Sequence, residues 1–283
     1  MIMLSDLRKK QLRAFLRNKI SVVGAIMTLF ILVTAIVAGS LSPYDPFDQN
    51  VYERLTSPDS KHLFGTDGFG RDILSRVIWG TRISLSVGVG SIIIGLFVGS
   101  LMGMIAAFRG GKIGNAIMRV VDIMMCFPAE VFGIMVLVVI GQGLDKLIIG
   151  LGIVMTPRFA RLAYGSALSV KERDYIEAAR ALGAKRKRIV LSHIFPNIFG
   201  EILVMSSLWT ATMIRVEANL SFLGLGVAPP TPTWGNMVRE GVNQLTNAPW
   251  MSIFPGLAIM LAVLSLNLIG DGLRDVMDPK LQG

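Results

Sequence analysis

Long apolar runs separated by short polar stretches set the pattern of this chain. Residues 20–41 are uncharged throughout and, at about 1.5 Å of helical rise each, can cross a hydrocarbon core of roughly 30 Å. Similar runs predict further spans at 83–108, 118–140, 147–165, 198–214 and 251–270, six in all. The organisation that follows is a basic segment at 1–19, a first span at 20–41, an external loop at 42–82, a membrane core at 83–270 and a tail at 271–283. Within the outer loop Pro43, Pro46 and Pro58 make the first half irregular, while Ile73, Leu74, Val77 and Ile78 form an apolar helical stripe. That stripe predicts a short helix on the outer surface before the second span.

Small and charged residues punctuate the spans. Ser91, Gly95, Gly99, Gly103 and Ala107 recur every four positions, placing minimal side chains along one helix face. The residue types favour close packing against a neighbouring helix of the same chain over lining a substrate path. The third span carries Asp122, Pro128 and Glu130, and Asp122 is expected near its cytoplasmic end. Glu130 admits two readings: a group on a translocation path, or the acid of a structural ion pair with Arg158, Arg161 or Arg215. Arg158 and Arg161 fall in the inward half of span four, and Glu201 falls near the inner end of span five. After that span, Arg215 and Glu217 lead into a loop dense in glycine and proline.

Composition agrees with a polytopic membrane protein, since 52% of residues are hydrophobic and only 17% charged. A soluble domain of this length needs more charge to cover its surface. The net charge of +9 is not gathered on one face as nucleic-acid binding requires. The bases instead cluster at the amino terminus, in the turn with Arg109 and Lys112, and around 171–188, which orients both termini toward the cytoplasm. The 1–19 segment reads either as an amphipathic stretch on an anionic membrane face or as a basic tail. The first apolar run is too long for a signal-peptide core and should remain as a span.

Catalytic chemistry finds no support in the motifs. Cys126 is the single cysteine, which excludes an intrachain disulfide and a thiolate metal site. No GxxxxGK[ST], HExxH or nucleophile-elbow pattern occurs. His62 reads as an exposed loop residue, and neither it nor His193 sits in a ligand array. The chain is therefore expected to be non-catalytic, with no cofactor or metal of its own.

The most informative stretch is 171–197, KERDYIEAARALGAKRKRIVLSHIFPN, within a cytoplasmic loop at 166–197. Tyr175, Ala178, Ala179 and Leu182 share one helical face, with Arg173, Glu177 and Arg180 opposite. Gly183 suits a helix end, a basic run at 185–188 follows, and Pro196 opens the next apolar run. Glu177-Ala178-Ala179, Gly183, Ile189 and His193-Ile194-Phe195-Pro196 together resemble the EAA loop of ABC importer membrane subunits. FGTDGFGRD at 64–72, EANLSFLGLGVAPPTPTWG at 217–235 and NLIGDGLRDVMDPK at 267–280 resemble the peptide and nickel branch, near dipeptide permease C. Resemblance covers nearly everything after the basic amino-terminal tail. Tyr164, where the family pattern has arginine, and Arg215, an unexpected charge, depart from it.

The resemblance implies an all-α type I ABC importer transmembrane fold in a cell inner membrane or plasma membrane. It also implies ATPase coupling through Asp174, Glu177, Ala178, Ala179, Gly183, His193 and Pro196, with Glu177 the leading electrostatic contact. Lys185, Arg186, Lys187 and Arg188 serve either docking or inward orientation. Implied partners are a homologous permease subunit, two cytoplasmic ATPases holding ATP and Mg, an extracytoplasmic solute-binding protein and membrane lipid, with no nucleic acid. The first substrate expectation is a dipeptide or oligopeptide, beside nickel chelates, glutathione-like peptides and other small solutes. The competing class is an ion-coupled secondary transporter using Asp122, Glu130 and Glu201, for which an ATPase docking surface has no purpose.

Overall fold

The computed structural model describes residues 15–277, with the backbone alone at Arg186, Lys187 and Met277. Most of the basic segment at 1–19, the last six residues of the tail and half of the 185–188 run's side chains therefore lie outside the described residues. All regular structure described is helical. The first span, α1 (Lys19–Ile36), starts where the Asn18 side chain accepts from the Ile20 and Ser21 amides; a short turn at Ala38–Leu41 follows.

The second helix, α2, runs unbroken from Ile73 to Arg109. Its 37 residues extend about 55 Å, more than a bilayer core requires. The stripe read as a separate surface helix is thus the first part of the same helix as the second span. Asp72 caps this end by accepting from the Ser75 amide, and no helix breaker intervenes before the apolar run. Gly110, at φ +59°, ends it.

The predicted third span is broken. Its halves are α3 (Gly111–Met125) and α4 (Ala129–Ile140), which meet at 99°. Pro128 has no amide hydrogen and disfavours helix in Phe127, which accounts for the corner. Helix α5 (Leu144–Lys171) leads into α6 (Asp174–Ala181). After a helical turn at Arg186–Ile189 and a π turn at Val190–Ile194, α7 spans Phe195–Phe222. Arg215 and Glu217 consequently stand inside a span and not in the outer loop; the helix persists until Gly224 turns the chain at φ +87°. The glycine- and proline-rich loop also contains a regular helix, α8 (Trp234–Val242), capped by the Thr233 hydroxyl. The last helix is α9 (Trp250–Met277).

Among the described residues, five helices are long and apolar enough to span a membrane, or six when α3 and α4 count as one bent span. The pairing of α2 with α5 is the most extensive in the molecule. It rests on the small-residue stripe: a Cβ on Gly95 would lie 2.6 Å from the Met155 Cβ, and one on Gly99 2.7 Å from the Phe159 Cβ. Such approach maximises dispersion contacts where lipid supplies no hydrophobic drive. Leu151, Met155, Phe159, Met213, Val216 and Leu220 continue the core into α7. Helix α9 joins α1, α7 and α8 to this centre.

Candidate functional site

Three clusters emerge, and the first is the elbow between α5 and α7. Lys171, at the end of α5, donates to the Ala107 carbonyl at 3.1 Å, tying the elbow to α2. Arg173 takes an extended conformation, and α6 begins with Asp174 and Glu177 in its first turn and Arg180 in its last. That charge order complements the helix dipole. The exit is a Schellman closure: the Gly183 amide donates to Arg180 O at 2.9 Å and the Ala184 amide to Ala179 O at 3.0 Å. Gly183 sits at φ +79°, a conformation that disfavours a Cβ even though no neighbouring atom would touch one.

One residue pins this helix to the body. Ile176 is fully buried in the cluster of Ala167, Val170, Ile189, Ile194 and Ile198. Asp174, Glu177, Ala178 and Gly183 are exposed, Ala179 is half-buried, and Leu182 is 89% exposed. Ala178 and Leu182 therefore turn outward, while Ala179, three positions from Ile176, leans toward the body and Tyr175 is partly covered by His193. Sequence reasoning missed Ile176, since one apolar residue among alanines and charges makes no stripe. Half-buried His193 lies with its ring centroid 6.3 Å from that of Tyr175 and accepts through its carbonyl from Asn197 at 2.6 Å. Pro196 is exposed in the first turn of α7, just after the π turn.

The second cluster surrounds the corner between α3 and α4. Asp122, expected near the inner end of a straight span, lies in the last turn of α3 and pairs with Arg161 of α5. Glu130, in the first turn of α4, lies 3.6 Å from Arg215 Nη1 of α7. Unlike Arg161, half-buried Arg158 of α5 has no carboxylate within 4.0 Å among the described residues. Exposed Glu201 accepts from the Ser166 hydroxyl at 2.7 Å, which links α7 to α5. Glu217 is fully buried and accepts from Ser221 at 2.7 Å, so it turns away from the Arg215 face.

The third cluster is a polar knot at the far end of α2. Here GTDGFGRD folds back, with Gly65 and Gly70 both at φ +74° and a bridge between Thr66 and Asp72. Asp67 accepts from the Phe69 and Arg71 amides and from Arg71 Nε at 2.6 Å, and Arg71 Nη2 reaches Glu240 of α8 at 3.0 Å. Asp72 takes Ser75 on one oxygen and His62 Nδ1 at 2.9 Å on the other. His62 is only 5% exposed, which corrects its reading as an exposed loop residue: the glycine turns bring Asp72 to it across ten positions. Arg76, 2% exposed, donates to Pro46 O at 3.0 Å. Beside the knot, the Lys61 ammonium bonded to Glu53 holds that carboxyl below its ordinary range. Amide donors of His62 and Lys61 do the same for Asp59.

Among the described residues no three His, Cys, Asp or Glu side chains come together as a metal site. The elbow is a short helix with exposed residues on most of its surface, joined by short segments to the long spans α5 and α7.

Comparison with known proteins agrees. Residues 95–283 match the family model of the binding-protein-dependent transport system inner membrane component, and 7–58 match the N-terminal TM domain of oligopeptide transport permease C. The glutathione transport system permease protein GsiD of Pectobacterium atrosepticum is 41% identical over 271 residues, covering 95% of this chain and 90% of the relative. The dipeptide transport system permease protein DppC of Alkalihalophilus pseudofirmus is 40% identical over 273 residues, covering 96% and 89%. The fold is shared with the MetNI methionine ABC transporter in an inward facing conformation, at TM-score 0.60 and 19% identity over 72% of this chain and 97% of that one. With two thirds of its length in the family model and near-complete alignment to curated permeases, this chain belongs to the binding-protein-dependent inner membrane components, as a non-catalytic permease subunit of an ABC importer.

Proposed function

We propose that this subunit imports small peptides, pairing with a homologous permease to form the pore while two cytoplasmic ATPases drive it and an extracytoplasmic binding protein delivers cargo. Similarity to permeases named for glutathione and dipeptide transport supports the peptide class. Both termini and the α6 elbow lie in the cytoplasm in this reading, as the distribution of basic residues indicates. Closure of the ATPases around ATP pushes on Asp174, Glu177, Ala178 and Ala179. Gly183, His193 and Pro196 hold the exit geometry that passes this motion to α7. A packed helix moves as one body, so displacement of α6 becomes displacement of α5 and α7 and favours an outward-open pore. The outer knot stays rigid while the inner end moves.

The carrying observation is the exposed surface of α6 above the single buried anchor Ile176. A large apolar side chain 89% exposed at Leu182, just past the end of this eight-residue helix, supports a partner-binding role for its outer surface. The ion-gradient alternative loses its motive here, because it gives that face no task. The Glu177→Arg complex tests the docking assignment. It should assemble normally and bind cargo-loaded binding protein, yet lose the link between ATP turnover and uptake. Full ATP-driven uptake by that variant would contradict it.

A further inference from the structure

The Glu130–Arg215 pair is oddly placed for a structural salt bridge. Glu130 precedes the end of α4 by ten residues and Arg215 the end of α7 by seven, so the pair sits about 10–15 Å below those ends. At that depth its side chains are still 34% and 56% exposed, respectively. Charges so exposed in a span cannot face hydrocarbon; they face water or protein. Their separation of 3.6 Å leaves them outside close hydrogen-bond range, and neither makes another polar contact among the described residues. The companion pair across the corner, Arg161 with Asp122, is in direct contact.

Arg215 projects opposite the buried Glu217, while the residues one turn along α4 from Glu130 are buried Gly133 and half-buried Ile134. One acid and one base are thus held loosely at mid-depth. We propose that Glu130 and Arg215 form an exchangeable pair that receives the two ends of a zwitterionic peptide. Glu130 takes the ammonium and Arg215 the carboxylate, whose planar oxygens fit the guanidinium fork. An exposed pair is weakly held, so replacing each charge by one of like sign on cargo costs little. A dipeptide spans about 7 Å between its ends, so the side chains part to admit it.

This inference rests on the peptide reading above, and its test separates the two. The full importer, reconstituted in liposomes with saturating binding protein, is given dialanine, N-acetyl-dialanine or dialanine amide, and uptake is scored per assembled complex. Wild type should prefer dialanine over both blocked forms. In Glu130→Gln the preference over the acetylated peptide should fall about tenfold with that over the amide kept, and Arg215→Gln should show the converse. Glu130→Asp and Arg215→Lys, which keep the charges, should retain both preferences even if assembly yields drop. Wild-type preferences persisting in both glutamine variants would overturn the exchangeable pair, as would equal loss for all three peptides, which marks a structural bridge or a contact to the second permease. Failure of the wild-type importer to take up any of the three would instead defeat the peptide reading itself.

Discussion

Arg71 is 3% exposed and carries two carboxylates, Asp67 and Glu240, across the boundary between the knot and α8. Changing it to Met leaves buried Asp67 with two amide donors and the Arg76 guanidinium 3.5 Å away, so the loss should fall near the lower end of about 3–5 kcal/mol. Thermal unfolding of the purified complex should show that loss, and a second change, Asp67→Asn, should recover part of it. Gly183→Ala meets no neighbouring atom, so its cost is backbone strain alone, about 1 kcal/mol. Faster hydrogen exchange at the Ala184 amide would register the weakened closure. At Glu53 and Asp59, carboxyls held below their ordinary range bind fewer protons folded than unfolded. Their contribution is therefore present at neutral pH and is lost in acid, as pH falls below the ordinary carboxylate range and through their lower folded-state values. Protease nicking of the 42–72 loop should accelerate there and remain flat between pH 6 and 8. The role of Gly183 was legible because glycine at a helix end has a physical reason visible in one dimension. The burial of His62 was not, because Asp72 meets it only after two left-handed glycine turns.

At the scale of elements, the pairing of α2 with α5 was legible from a four-residue repeat that has one packing explanation. Gly95→Leu drives carbon into the Met155 backbone and side chain, and overpacking of this kind costs about 1–3 kcal/mol. Assembly yield and melting temperature should both fall, while ATP affinity in the ATPases stays constant; unchanged assembly would refute the packing role. Helix ends were less legible. Hydropathy reports where lipid stops and says nothing about where hydrogen bonding stops, so α2 and α7 both continue past their apolar runs. The corner at 126–128 had a signal in Pro128, whose consequence depended on the α5 and α7 partners that accept Asp122 and Glu130. For α6 the exposed face followed from composition, whereas its anchor Ile176 needed the surrounding α5 and α7 residues to become visible.

For the whole molecule, a polar knot fixes one end of the long helices and α6 offers a lever at the elbow. In the proposed mechanism the distance between the two ends separates the ATPases from the cargo. Fold class and family were legible through segments of 10–20 residues whose physical roles are now visible as cap, knot and elbow. Cargo identity was less so, since the two charges proposed to receive it, Glu130 and Arg215, lie on separate helices. The most direct test uses the complete importer with Cys126→Ser, so that Leu182→Cys supplies the sole thiol of this chain on the exposed face of α6. A membrane-impermeant maleimide should label it from the cytoplasmic side alone, and a short bifunctional reagent should join it to an ATPase subunit and halt uptake. Labelling from outside, or continued uptake with α6 locked to the ATPase or with the ATPases removed, would contradict the account.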